Sequence, residues 1–146
     1  MDRAKIAYDL HRGGANCAQS LVCAFSDVTG LDQETTMKLC GAFGGGFRTG
    51  GICGAVSGAG VVLGFVYPHA DPADMPAKTR ISKKIMEFEK RFQERFPGLC
   101  CREIRDLPAD PTVSPAAQRL GVTKACDVYI VSAVEILEEM IQEEQA

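Results

Sequence analysis

Apolar residues recur along this chain at helical spacing. Valine, isoleucine and threonine never alternate with polar neighbours over a strand's length, whereas steps of three and four repeat throughout. The pattern predicts an all-α fold, a single-domain bundle of about five to six helices over residues 1–146. Residues 2–11 form a first helix ended by Gly13-Gly14, and 15–28 a second that stops at Gly30; the two should pack as a hairpin. Asp32 caps a third over 33–43. A glycine-rich loop, Gly44-Gly45-Gly46-Phe47-Arg48-Thr49-Gly50-Gly51, then separates helices three and four, the fourth spanning 52–66.

Pro68, Pro72 and Pro76 bracket a linker, and Asp74 caps a long helix with Pro76 in its first turn. Ile81, Ile85, Phe88, Phe92 and Phe96 make its apolar stripe, with Lys83, Lys84, Glu87, Glu89 and Lys90 largely off it. Pro97-Gly98 ends it. A short helical turn near 101–106 and an irregular stretch over 107–115 follow, and Thr123 starts a last helix that is apolar on several faces before an acidic end.

Composition narrows the class. At 146 residues the chain matches one domain, and with 46% hydrophobic residues, 24% charged residues and a net charge of −3 it is neither a disordered chain nor a basic nucleic-acid binder. The uncharged stretch from Gly50 to Pro68 is slightly short for a bilayer helix and rich in glycine, so no membrane role is expected. Seven cysteines, an odd number, fall below the density of a disulfide scaffold, and the N-terminus lacks the apolar core of a signal peptide. Cytoplasmic, thiol-reducing surroundings are expected.

The cysteines carry the candidate chemistry. Cys17, Cys53, Cys101 and Cys126 each fall in or near the first turn of an expected helix, where free amides and the helix dipole favour thiolate, the nucleophilic and metal-binding form. Cys23 and Cys40 sit mid-helix or in a last turn and read as packing residues. Gaps of 36, 48 and 25 residues separate the four, so zinc-ribbon and ferredoxin spacings are absent and the site must be assembled by the fold. Four thiolates suit a [2Fe–2S] or [4Fe–4S] cluster, or structural zinc. In the vicinal pair Cys100-Cys101, the second is the better ligand. His11 and His69, at a helix end and in a linker, are expected in surface or capping roles.

Ten of the fifteen glycines lie between Gly41 and Gly64. Gly44, Gly45, Gly46, Gly50 and Gly51, with Arg48, could form an anion nest beside cluster sulfur; the phosphate-loop signatures are missing. Gly54, Gly58, Gly60 and Gly64 leave bare backbone for a close helix neighbour.

Asn16-Cys17-Ala18-Gln19, Phe43-Gly44-Gly45-Gly46, Cys53-Gly54-Ala55-Val56-Ser57-Gly58, Cys101-Arg102-Glu103-Ile104 and the Cys126 helix, in that order, resemble the C-GCAxxG-C-C family of redox-active proteins over nearly the whole chain. The resemblance maps the family's cysteines onto Cys17, Cys53, Cys101 and Cys126. It implies a small redox protein suspected of holding an iron–sulfur cluster, as the similar split-Soret cytochrome c does, and serving a partner oxidoreductase. This chain has no CxxCH, so haem does not carry over. Cys40-Gly41-Ala42-Phe43-Gly44-Gly45 also fits CGAxxG, leaving two candidates for the motif cysteine.

The main expectation is therefore a cluster-binding electron-transfer protein with a redox partner protein. The alternatives are a metal-free thiol/disulfide protein, in which Cys53 is the reactive thiol eased by Arg48 and the helix dipole, and a zinc-bearing helical interaction module. Pairing of the phenylalanine stripe and the glycine-rich helix across a two-fold axis would give a homodimer.

Overall fold

In a computed structural model describing residues 1–146, the chain forms nine α-helices and three short helical turns, with no strands. The all-α class holds, but the helix count exceeds the expected five to six. α1 (Arg3–Arg12) is capped by Asp2, whose side chain accepts from the Lys5 N–H. α2 (Cys17–Cys23) opens with a reciprocal cap. Asn16 accepts from the Gln19 N–H at 2.8 Å, and the Gln19 side chain accepts from the Asn16 N–H at 2.9 Å.

The expected helix 15–28 is broken. Phe25 leaves helical geometry (φ −108°, ψ 28°) with its side chain fully buried, and a separate α3 (Ser26–Thr29) ends at Gly30 in the left-handed region. α4 (Gln33–Leu39) is capped by Asp32 but stops before 43, because Cys40 turns the chain into a 3-10 turn over Gly41–Phe43. The glycine-rich loop consequently lies between α4 and α5 (Gly54–Val66), with Cys53 as the N-cap residue.

α6 (Met75–Arg95) starts where Asp74 accepts from the Ala77 N–H. α7 (Cys101–Ile104) is a single turn, α8 (Pro115–Leu120) is capped by Ser114, and α9 (Ala125–Gln145) closes the chain. No helix is long and apolar enough to cross a membrane.

One core of 31 buried residues runs through the molecule. α9 is its axis, touching α1, α2, α5, α6 and α8 and burying Ile130, Val131, Ala133, Val134 and Leu137. Phe88 and Phe92 of α6 are fully buried against it, each contributing about 1.5–3 kcal/mol of apolar transfer, while Ile81 and Ile85 are only partly buried. α5 lies so close to α2 that a Cβ on Gly58 would stand 3.2 Å from Ala18 Cα. That contact brings the start of α5 to the start of α2.

Candidate functional site

Four helix starts meet at one end of the bundle. Cys17 is the first residue of α2, Cys53 the N-cap of α5, Cys101 the first residue of α7 and Cys126 the second of α9. Two backbone hydrogen bonds lace the middle pair. The Cys53 N–H donates to Leu99 O at 2.7 Å and the Cys101 N–H to Gly51 O at 2.6 Å, around the isolated Ile52–Cys100 bridge. Gly54 brings Cys17 alongside, since a Cβ there would stand 2.8 Å from Cys17 Cβ and 3.0 Å from the Ala18 nitrogen. The Tyr129 hydroxyl donates to Ile104 O, tying the start of α9 to α7.

The sulfurs feel one another. The Cys17 thiol, by the hydrogen bond it gives Cys126 and then by burial and the charges of Cys53, Cys126 and Cys101, is pushed far above the ordinary thiol range. Cys126 moves the other way. The Cys17 hydrogen bond, opposed by burial and helped by His11, lowers it to about 6, with Asp127 and Asp106 pulling against. Cys53 is pushed up to about 12 by burial; the N–H groups of Ala55 and Val56 lower it, while Cys126 and Cys101 raise it.

The ease of ionisation at Cys126 comes from Cys17 and His11 rather than from the helix start. At Cys53 the helix-start amides do lower the thiol, but loss of water outweighs them. Arg48 is exposed and has no part in the Cys53 shift, which corrects the thiol reading built on that pair. The remaining cysteines stand apart. Cys40 is fully buried and senses Cys23, so of the two CGAxxG copies it is Cys53 that joins Cys17, Cys101 and Cys126. Cys100 is the N-cap of α7, its N–H held by the Glu103 carboxylate at 3.0 Å.

The glycine loop differs from a simple nest. Gly45, Gly46, Phe47 and Arg48 all have φ near +60°, a left-handed turn that continues through two side-chain-bearing residues. Gly46 lies directly on Gly51, where a Cβ would meet the Gly51 oxygen at 2.4 Å, and the Gly51 N–H donates back to Gly46 O at 3.1 Å. Gly50 packs on Arg102, whose guanidinium donates to Gly50 O at 3.2 Å, and Gly44 packs on Asn16. These glycines serve close approach between segments.

His11 is not the surface or capping residue expected. Its Nδ1 lies 2.6 Å from Oδ1 of the buried Asp127, and its Nε2 lies 3.9 Å from Cys17 Sγ. An ionised carboxylate only accepts, so Nδ1–H donates to Asp127. Sequence reasoning missed both residues and Tyr129. The available signal was an acidic residue, Asp127, set beside Cys126 at the head of an apolar run. His69 also departs from expectation, its Nε2 buried without a partner.

The donor set can be tested against a metal. No three cysteine, histidine or carboxylate side chains converge closely enough to share one ion, as tetrahedral zinc requires with sulfurs about 2.3 Å from a common centre.

An all-helical fold that gathers four cysteine-bearing helix starts at one end defines a cysteine-centred class of protein. The family model described as "Putative redox-active protein (C_GCAxxG_C_C)" matches residues 15–140, and the chain belongs to that family. No curated protein and no solved structure matches the chain.

Proposed function

We propose that this chain is a one-electron redox protein whose Cys17, Cys53, Cys101 and Cys126 hold an iron–sulfur cluster. The observation that carries the reading is the convergence of four cysteine-bearing helix starts, Cys53 and Cys101 joined by backbone hydrogen bonds, Cys17 packed on Gly54 and the start of α9 tied to α7 through Tyr129. When bound, such a cluster accepts and returns single electrons. The chain's own part is to hold four sulfurs, exclude water and set the local field. Burial of Cys53 and the surrounding core limit solvent access. The Cys53–Leu99 and Cys101–Gly51 backbone bonds fix two sulfur-bearing segments relative to each other. His11, steadied by Asp127, adds a polar group beside Cys17.

Anaerobic purification followed by iron, sulfide and visible-absorption measurements tests this. Iron and acid-labile sulfide in matching amounts, lost on Cys53→Ser or Cys126→Ser, support it. A colourless protein that takes up neither on reconstitution, or takes up zinc alone, overturns it.

One observation favours a second reading, a metal-free dithiol. Cys126 ionises at about 6 beside a Cys17 that keeps its proton. The Cys126 thiolate would attack a substrate disulfide and release one thiolate. Cys17, giving up its proton, would then displace the second, leaving a Cys17–Cys126 disulfide and two electrons on the substrate. Reversible loss of two thiols on oxidation, abolished by Cys17→Ser, would mark this reaction.

A further inference from the structure

Two consecutive residues with side chains, Phe47 (φ 58°, ψ 31°) and Arg48 (φ 59°, ψ 16°), stand in the left-handed region. Such backbone costs about 1–2 kcal/mol per residue and persists only where neighbours enforce it. The neighbours here do: the Thr49 hydroxyl donates to Gly46 O at 2.9 Å, the Gly51 N–H donates to the same oxygen, and Gly46 sits flush on Gly51. The strain does not serve the core. Phe47 is 53% exposed, with the Phe43 ring tilted against it at 4.7 Å, and Ile52 beside the turn is 40% exposed. The turn is a rigid, pre-set knob.

Charge around it is mostly positive. Arg48 and Arg102 have no ion-pair partner, while Arg3, Arg91, Arg95 and Arg119 are all paired. Glu103, next to Arg102 on α7, keeps its charge but is turned to the Cys100 N–H, and Asp106 is paired with Arg105. Two guanidiniums without an ion-pair partner therefore flank exposed apolar side chains on a chain whose net charge is −3. The knob also adjoins the sulfurs: Gly51, against which it is packed, accepts from the Cys101 N–H, and Ile52 precedes Cys53.

We propose that the left-handed turn Gly45–Arg48, with Ile52 and Arg102, is the docking surface for an acidic redox protein that exchanges electrons with the cysteine pocket. Phe47 enters an apolar hollow in the partner, and Arg48 and Arg102 meet the carboxylates around it. Rigidity lowers the entropy lost on docking, and charge complementarity speeds encounter. The proposal rests on the redox reading of the pocket, but binding can be measured whether or not a cluster is present.

The probe is a fluorescently labelled acidic flavodoxin, its binding to the full chain read by anisotropy at about 20 mM and about 300 mM salt. The expected result is binding at low salt, weakened about tenfold by Arg48→Glu with Arg102→Glu and by the higher salt, and unchanged by Lys83→Glu with Lys90→Glu on α6. Phe47→Gly separates docking from folding. It relieves the strained backbone and should raise the melting temperature by about 2–4 °C while weakening binding about tenfold.

No binding at low salt, equal weakening by the α6 pair, or a Phe47→Gly chain that melts lower overturns the proposal. So does self-association abolished by Phe47→Gly, which would make a second copy the occupant. Iron and sulfide content, measured on the same samples, reports separately on the cluster.

Discussion

The two ends of the bundle are held by opposite means. At the cysteine end the segments meet through backbone: Gly54 against Cys17, Gly46 against Gly51, and amide bonds joining the segments of Cys53 and Cys101. At the far end of α9 the neighbours are side chains: Leu137 and Met140 are buried in the core, and Arg91–Glu143, at 2.7 Å, closes the rim. Where chemistry must be positioned, the chain gives up side-chain volume for proximity. Where only the fold must be held, it uses bulk and charge that tolerate exchange.

The sharpest test lies at the far end. Leu137→Ala removes a fully buried side chain and should cost about 2–5 kcal/mol in denaturant unfolding, yet the reactivity of Cys126 in the protein that remains folded should be unaltered. If Cys126 reactivity falls too, the two ends are not independent. Gly54→Ala, a far smaller chemical change, strikes the other end. The new Cβ meets Cys17 Cβ and the Ala18 backbone, so a loss of about 1–3 kcal/mol is expected together with a changed Cys126 titration.

Titration sharpens the contrast further. Iodoacetamide should modify Cys126 with an apparent midpoint near 6, and Cys17→Ala should move that midpoint up toward the ordinary thiol range of about 8.5. The sign for stability follows. Cys126 ionises more readily folded than unfolded, so its contribution is present above about pH 8.5 and is lost as pH falls through 6. Cys53 is the reverse, ionising less readily folded, so stability should fall as pH rises from about 8.5 towards 12. Urea midpoints across this range should rise and then decline, and Cys53→Ala should remove part of the decline. The smallest effect belongs to the rim: Arg91→Ala should change stability by no more than about 1 kcal/mol, a difference that shrinks in high salt.

What could be read from residues alone follows the same division. Local chemistry was legible: Asp32 and Asp74 cap where their spacing implies, the α6 phenylalanines are buried, and four cysteines lie in or at the edge of a helix's first turn. The match to the four-cysteine family was legible because its motifs are local as well. The break at Phe25 was not, since it depends on where a ring finds room in the core rather than on any helix-stopping residue. Three glycines announced a loop but could not say that Phe47 and Arg48 would continue the left-handed turn. His11 and Asp127 are 116 positions apart, and nothing nearby in the chain predicts their bond.

The paired amide bonds at Cys53 and Cys101 have a consequence for how this chain can vary. Everything from the start of α5 to the end of α6 leaves one rung of backbone and returns to it, so that excursion is anchored at its root like a handle on a cup. Lengthening the handle at its exposed bend around Asp71 leaves the root in register, whereas shifting Leu99 or Gly51 by a single position slides one sulfur past the other. Insertions should therefore be welcome at the bend and forbidden at the root.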